Sequence, residues 1–156
     1  MRLDGHDVRT LSIATLRKHV LTVETDPFVF HASLAANLRV AAPEASEAAM
    51  RHALTLVGLG AWLDTLPDAM ATVLGERGRA MFTGERQRLA LARAVLADPR
   101  VLILDEATGA LDPATEAVVL SAMQEWLSQR TVVFITHLRA VAELAPRTVV
   151  LRGGAL

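Results

Sequence analysis

The sequence lacks cysteine, long apolar runs and any excess of positive charge. Without cysteine the chain forms no disulfide and has no thiolate nucleophile or metal ligand, which fits a cytosolic location. No apolar run approaches the ~20 residues that span a bilayer, and the N-terminus has no signal-peptide core. We therefore expect any membrane role to come through a partner or through a segment that precedes Met1.

The charge balance argues against nucleic acid as a partner. The formal net charge is −1, and the basic residues, with Lys18 as the only lysine, are scattered instead of gathered in a patch. With 52% hydrophobic and 21% charged residues, the 156-residue chain has the composition of one globular domain.

The first chemically informative stretch is a predicted helix that opens at Thr83-Gly84-Glu85 and runs to about Ala97. Thr83 suits the N-cap, and the Glu85 carboxylate is near the positive end of the helix dipole. Apolar residues recur along it at helical spacing, namely Leu89, Ala92, Val95 and Leu96. A glycine at the helix start lets a ligand approach free N–H groups, which favour an anion such as phosphate. A capped helix without a ligand explains the same residues.

The second informative stretch is the apolar run 101–104, which ends in Asp105 and Glu106. Such a run predicts a strand buried on both faces of a parallel sheet, and ligands of these sheets sit at the carboxyl ends of the strands. Two acids there suit metal and water chemistry. Asp105 would hold Mg²⁺, and Glu106 would orient or deprotonate a water that attacks a phosphoryl group. The alternative is a strand that merely ends at a polar loop.

Together, the two stretches resemble the nucleotide-binding domain of ATP-binding-cassette (ABC) transporters of the exporter type. That family has a Leu-Ser-Gly-Gly-Gln signature, a helix that begins Arg-Gln-Arg, an Asp-Pro turn, a Walker B strand ending Asp-Glu, and then Ala-Thr-Ser-Ala-Leu-Asp. This sequence has, in the same order, Met81-Phe82-Thr83-Gly84-Glu85, Arg86-Gln87-Arg88, Asp98-Pro99, Asp105-Glu106 and Ala107-Thr108-Gly109-Ala110-Leu111-Asp112. The resemblance covers essentially the whole chain.

The resemblance implies an α/β fold of the P-loop NTPase type, with a mostly parallel sheet flanked by helices and an added helical subdomain. It places the helical subdomain and its signature at about residues 33–97, and the Walker B, D-loop and H-loop part of the core at residues 98–156. The Walker A phosphate loop has no counterpart, since no glycine-rich turn precedes Lys18. We expect that loop upstream of Met1, so that the domain is N-terminally incomplete and this chain alone hydrolyses no ATP.

The resemblance also implies roles for single residues, with ATP and Mg²⁺ as the cofactors. Asp105 would contact the metal, Glu106 would be the catalytic base, and His137 would contact the γ-phosphate. Asp112 would lie at a dimer interface across from the partner's nucleotide, although capping of the next helix alone explains it. The signature residues, expected to face the nucleotide of a second nucleotide-binding domain, are Phe82, Thr83, Gly84 and Glu85.

Two positions depart from the family pattern. Thr25 stands where the family has a glutamine that reaches Mg²⁺ and the attacking water, and a plain Asp-Pro turn is the alternative for its loop. Phe82 stands where the family has a serine that donates to the γ-phosphate. Both departures suggest a degenerate site. The residue sequence of these motifs resembles that of bacterial heterodimeric exporters that are linked to thiol export and cytochrome bd assembly. The alternative function is therefore a non-catalytic remnant or partner half that supplies only a signature surface.

The rest of the chain predicts further elements. Helices are predicted at 12–19, 33–38, 44–57 and 113–129, and strands at 20–23, 131–135 and 147–151, with a hairpin turn at 152–154. The Gly-flanked turn 74–78 resembles an exporter loop that touches the transmembrane domain, and a solvated turn is the alternative. Phe28 and Phe30 suit core packing and a docking surface equally.

The expected partners are the transmembrane domain of an exporter and a second nucleotide-binding domain, as a homodimer or a heterodimer. The expected location is the cytoplasmic face of the bacterial inner membrane, through a transmembrane partner or a missing N-terminal segment. The carboxyl half of a chromosome-maintenance ATPase head shares these motifs, but it is disfavoured because no heptad run precedes the signature.

Overall fold

The computed structural model describes residues 2–75 and 78–150. Within these ranges the strands are β1 (Arg2–Leu3), β2 (His6–Asp7), β3 (Val20–Val23), β4 (Val101–Asp105) and β5 (Thr131–Ile135). The α-helices are α1 (Ile13–His19), α2 (Leu34–Arg39), α3 (Glu47–Leu56), α4 (Gly60–Asp64), α5 (Thr83–Ala97), α6 (Pro113–Ser128) and α7 (Arg139–Ala142). None of these helices is long and apolar enough to cross a bilayer.

Strands β3, β4 and β5 form a parallel sheet with β4 in the middle, while β1 and β2 pair as a separate antiparallel hairpin. The register aligns Val23 with Leu104 and Leu104 with Phe134. Because side chains alternate between the faces of a strand, these three residues share one face of the sheet. Val23, Leu104 and Leu102 are buried, so this face forms part of the core.

The opposite face of the sheet is much more open. Thr22 of β3 is exposed, and Val133 and Ile135 of β5 are 44% and 49% exposed. On β4 this face carries Val101 and Ile103, which are half-buried. The predicted burial of β4 on both faces is therefore only partly correct, because among the described residues one face has far less cover than the other.

The helical region between β3 and β4 supplies most of the buried core. Helices α2, α3 and α5 pack against one another. Ser33 and Ser46 begin α2 and α3, and each hydroxyl accepts a backbone N–H of the first turn. The fully buried side chains contributed by the three helices include Leu34, Leu38, Met50, Leu54, Leu89 and Leu91.

Three predictions about local structure are wrong. The N-cap of α5 is Phe82 and not Thr83; the Glu85 carboxylate accepts the Phe82 N–H at 2.9 Å, and the Phe82 side chain makes no capping hydrogen bond. Helix α3 begins at Glu47 and not at residue 44, since Ser46 is the residue that caps it. Residues 147–150 form no strand, because no strand within residues 2–75 and 78–150 lies beside them to complete a hydrogen-bonded ladder.

Some predictions fall on residues outside the described part of the chain. Glu76 and Arg77 of the turn 74–78 lie there, and so do residue 151 and the predicted hairpin turn 152–154. Next to the turn, the Leu74 N–H donates to the Ala32 carbonyl at 2.9 Å. The division of the chain at residues 33–97 and 98–156 stays a prediction.

Candidate functional site

The loop that follows β4 has a backbone conformation that a residue other than glycine rarely adopts. Glu106 has a φ of +48°, in the left-handed region. Its N–H donates to the Ile135 carbonyl at 2.9 Å, and its carbonyl accepts from the Gly109 N–H at 3.0 Å and from Gln87 Nε2 at 3.3 Å. Strained backbone persists only where its surroundings determine it, and it concentrates at functional sites. These bonds hold Glu106 at the carboxyl end of β4, beside the end of β5.

The Glu106 side chain meets His137. His137 Nδ1 lies 2.9 Å from Glu106 Oε1. Because an ionised carboxylate only accepts hydrogen bonds, the proton of this bond belongs to Nδ1. A neutral ring with its proton on Nδ1 has a lone pair at Nε2, so donation from Nε2 to a phosphate oxygen requires protons on both nitrogens. The side chains of His137 and Glu106 are 70% and 41% exposed, so a ligand can reach the pair.

Thr25 and Asp105 lie together where β3 and β4 end. The Thr25 hydroxyl donates to the Asp105 carbonyl at 3.2 Å. The Asp105 carboxylate and this hydroxyl are oxygen groups of the kind that suit Mg²⁺, which takes one or two carboxylates and completes its shell with water and substrate phosphates. Within residues 2–75 and 78–150, no three His, Cys, Asp or Glu side chains are grouped so as to hold a metal. A metal at Asp105 would therefore complete its shell with water and with oxygens of a bound nucleotide.

The N-terminus of α5 combines an exposed aromatic ring with a tightly packed glycine. The Phe82 side chain is 78% exposed, whereas the Glu85 carboxylate is buried against the Phe82 N–H. A Cβ atom on Gly84 would lie 3.0 Å from Leu111 Cδ2 and 3.3 Å from the Ala110 carbonyl oxygen. Gly84 thus lets α5 approach the loop after β4, a packing reason that the sequence did not reveal. Glu85 points inward, away from the surface on which it was expected to meet a nucleotide.

Asp112 caps α6, as one of the two predicted roles requires. Its Oδ1 accepts from the Ala114 and Thr115 N–H groups at 3.1 and 3.0 Å, and its Oδ2 accepts from the Thr115 hydroxyl at 2.6 Å. These bonds, the Thr115 hydroxyl foremost, hold the pKa of the Asp112 carboxyl below its usual range. The capping role is confirmed, and the role at a dimer interface stays a prediction.

Gln87 is a candidate that the sequence reasoning missed. Its side chain lies inside the molecule, since the residue is only 1% exposed. Nε2 donates to the Thr25 carbonyl at 2.9 Å and to the Glu106 carbonyl at 3.3 Å, and Oε1 accepts from the Ala110 N–H at 3.0 Å. The available signal was a polar residue four positions before the apolar Leu91, on the same face of the predicted helix.

A buried polar cluster fixes the segment that contains Phe28 and Phe30. Asn37 is fully buried, and its Oδ1 accepts from the Phe30 N–H at 2.9 Å and from Arg93 Nη2 at 2.7 Å. Arg93 Nη1 donates to the Phe28 carbonyl at 2.7 Å, and burial lowers the pKa of the Arg93 guanidinium. The two phenyl rings meet edge to face at 4.9 Å yet remain exposed. Of the two roles predicted for this pair, core packing is therefore wrong.

The predicted site residues form two groups. Thr25, Asp105, Glu106 and His137 gather at the carboxyl ends of β3, β4 and β5. Residues 82–85 lie at the N-terminus of α5, packed against the loop after β4. Acids at the carboxyl end of the central strand of a parallel sheet that is packed against helices fit the class that the motifs implied, a nucleotide-binding α/β domain of the P-loop NTPase type.

Comparison with known proteins narrows this class to a family. The sequence profile of the ABC transporter family matches residues 1–109. The chain is 43% identical over 154 residues to the beta-(1-->2)glucan export ATP-binding/permease protein NdvA of Rhodopseudomonas palustris strain BisB18, which covers 99% of this chain and 26% of that protein. It is 38% identical over 155 residues to the ATP-dependent lipid A-core flippase of Thiobacillus denitrificans, and this match covers 99% of this chain and 27% of that protein.

A solved structure agrees with the sequence relatives. A bacterial Atm1-family ABC exporter with ATP bound matches with a TM-score of 0.82 and 33% identity, over 88% of this chain and 24% of that chain. This chain therefore belongs to the ABC transporter family. It spans about a quarter of the length of the curated relatives it matches. The fold class implied by the motifs is confirmed, and the narrower resemblance to thiol exporters stays a prediction.

Proposed function

We propose that this chain supplies the ATP-hydrolysing part of an ABC exporter and so powers transport across a membrane. The observation that supports this most strongly is the 2.9 Å contact between Glu106 and His137 on the strained loop after β4. A carboxylate held by backbone bonds at the carboxyl end of a parallel sheet suits a base that acts on water during phosphoryl transfer. The names of the relatives, an export ATP-binding/permease protein and a flippase, support export as the process.

The residues of this chain divide the proposed chemistry between them. A Glu106 carboxylate oxygen accepts the proton of the water that attacks the γ-phosphate, and His137 orients that carboxylate through Nδ1. Asp105 would hold Mg²⁺, with the Thr25 hydroxyl beside it. Bound Mg²⁺ would neutralise charge on the ATP phosphates.

The N-terminus of α5 is the surface proposed to meet the nucleotide of a second nucleotide-binding domain. This helix has 15 residues, so its free N–H groups and its dipole favour an anion such as phosphate. Thr83 and Gly84 would lie nearest that phosphate. Phe82 would offer apolar contact in place of a hydroxyl donor, and Glu85 would act indirectly by capping the helix. Asp112 would lie at the same interface.

A transmembrane domain is the other proposed partner. The exposed Phe28 and Phe30 rings, held in place by Asn37 and Arg93, would form the docking surface, and the role predicted for the turn 74–78 is contact with the same partner. This partner would place the chain at the cytoplasmic face of the bacterial inner membrane. A net charge of −1 favours no nucleic-acid partner.

A non-catalytic half of a heterodimer is the second candidate. The Thr25 hydroxyl donates its only proton to the Asp105 carbonyl, so it can meet a water or Mg²⁺ only through its oxygen lone pairs. The exposed Phe82 likewise has no donor for a phosphate. In this alternative the chain contributes only its α5 surface to the active site of an intact partner.

The test uses an exporter in which residues 1–156 replace the matching segment of the Rhodopseudomonas palustris relative. Glu106→Gln is expected to lower steady-state phosphate release by about 10²–10⁴-fold without weakening ATP binding, because the base acts on water and not on nucleotide affinity. The matched control is Glu125→Gln, the same change at an exposed position of α6, which keeps the parental rate. Phosphate release at the parental rate in Glu106→Gln would instead support the non-catalytic half.

A further inference from the structure

We propose that Gln87 is a positioning residue for ATP hydrolysis, which connects helix α5 to the loops that carry Thr25, Glu106 and Ala110. This inference rests on the proposed function, since it assigns Gln87 a role toward the proposed base. Gln87 touches neither the nucleotide nor the reacting water in this proposal. It acts through the backbone that holds Glu106.

The three hydrogen bonds of Gln87 reach two loops that are far apart in the chain. Thr25 follows β3 and lies 62 residues away, whereas Glu106 and Ala110 lie 19 and 23 residues away, at two places in the loop between β4 and α6. One buried amide thus holds two separate loops to one helix. An amide in this place supplies both the donors and the acceptor that these segments need, which a carboxylate or an apolar side chain of similar length does not.

Gln87 also supports the strained backbone of Glu106. A φ of +48° costs free energy for a residue with a side chain, so it must be held by its surroundings. The Glu106 carbonyl accepts from Gln87 Nε2 and from the Gly109 N–H of its own loop, while the Glu106 N–H donates to the Ile135 carbonyl of β5. Loss of that bond lets the loop relax and moves the carboxylate from its place beside His137.

A second contact links the same part of α5 to the same loop. Gly84, three residues before Gln87 and on the same face of the helix, packs against Leu111 and the Ala110 carbonyl. The first two turns of α5 therefore contact the loop at two points. The start of this helix is also the surface proposed to meet the partner's nucleotide. Because the helix contacts the loop at these two points, a movement of α5 at that surface is transmitted to the backbone of Glu106 in this chain's own site.

Hydrogen exchange of single amides in the chain 1–156 tests the bond directly. In Gln87→Met, which keeps the length but removes all hydrogen bonding, the Ala110 amide is expected to exchange at least about tenfold faster. Amides in the middle of α3, such as that of Leu54, are expected to keep their parental rates, which separates local opening from loss of the fold. Gln124→Met, the same change at an exposed position of α6, is the matched control. An Ala110 amide unaffected by Gln87→Met would overturn the inference.

Steady-state kinetics of the exporter that carries residues 1–156 in place of the matching segment test the role of Gln87 in hydrolysis. Gln87→Met is expected to lower kcat about tenfold or more, with the KM for Mg-ATP changed less than about threefold, because misplacement of a catalytic group affects the transition state more than binding. Gln87→Glu keeps the acceptor for the Ala110 N–H but cannot donate to the Thr25 and Glu106 carbonyls. In this variant the Ala110 amide is expected to exchange at the parental rate, while kcat is expected to fall as in Gln87→Met.

The outcomes separate this inference from the proposed function. If Glu106→Gln abolishes phosphate release and Gln87→Met hydrolyses ATP at the parental rate, the proposed function stands and the positioning role is wrong. If Glu106→Gln hydrolyses at the parental rate, the proposed function itself is wrong. A rise in KM without a fall in kcat in Gln87→Met would also overturn the positioning role.

Discussion

The helical region consists of helices α2 to α5, and the sheet region consists of the strands β3, β4 and β5 together with helix α6. These two regions are stabilised in different ways. In the helical region, leucines such as Leu54 and Leu89 are completely removed from solvent on packed helices. In the sheet region, one face is buried, but Val133 and Ile135 on the other face remain about half exposed. The candidate catalytic residues lie at the edge of the more open region, where a ligand can reach them.

This difference shows that most of the stability and the candidate catalytic residues lie in different parts of the chain. Apolar burial, the main source of stability, is concentrated in the helices. Asp105 ends β4 and Glu106 begins the loop that follows, and Gln87 of the helical region donates to the Glu106 carbonyl and to the Thr25 carbonyl. The more completely buried region thus positions part of the chemistry of the less covered one.

The largest expected effect comes from truncating one apolar side chain in each region, which tests whether the two regions differ in packing. Leu54→Ala is expected to lower the free energy of unfolding by about 2–5 kcal/mol, because it leaves a cavity in a closely packed core. The matched change Val133→Ala, on the open face of β5, is expected to cost about 0.5 kcal/mol or less. Urea denaturation of the chain 1–156 measures both. Equal losses would show that the two regions do not differ in packing.

A polar truncation in the helical region is expected to have an intermediate effect. Asn37→Ala removes the acceptor of the Phe30 N–H and of Arg93, and it is expected to cost about 1–3 kcal/mol, because buried partners are left without hydrogen bonds. The same urea experiment measures this loss. Hydrogen exchange of residues 28–30 should also accelerate.

Arg93→Lys serves as the companion variant for Asn37→Ala. Lysine keeps the positive charge but has no planar fork, so it cannot donate to the Phe28 carbonyl and to Asn37 together. We expect faster exchange of residues 28–30 with a smaller loss of stability than in Asn37→Ala. Unchanged exchange in both variants would show that the cluster does not fix the aromatic pair.

The smallest expected effect concerns Asp112 at the start of α6. Its folded-state pKa is lowered, so its contribution to stability is complete above the pKa of the unfolded chain and is lost as the pH falls through the folded value. Asp112→Asn keeps a capping side chain without the charge. The stability difference between the parent and Asp112→Asn is therefore expected to be constant above about pH 5 and to shrink below about pH 4. A difference that does not vary from neutral to acid pH in urea titrations would contradict this.

Local sequence predicted much of the fold. The strands at 20–23 and 131–135 have the predicted bounds, and the helix after Asp112 begins at Pro113 as predicted and ends at Ser128, one residue before the predicted end. The two failures have different causes. Thr83 is not the cap of α5, because the Glu85 carboxylate turns back to the Phe82 N–H, and residues 147–150 are not a strand, because a strand needs a partner.

The sequence by itself determined which family this chain belongs to and which residues are candidates for chemistry. Ordered motifs are local, so the acids at 105 and 106 and the histidine at 137 were recognisable without coordinates. Only the tertiary structure decided how they are held. The three bonds of Gln87 join residues up to 62 positions apart, and one of them supports the positive φ of Glu106. Contacts of that kind depend on how helices pack against the sheet, which spacing along the chain does not specify.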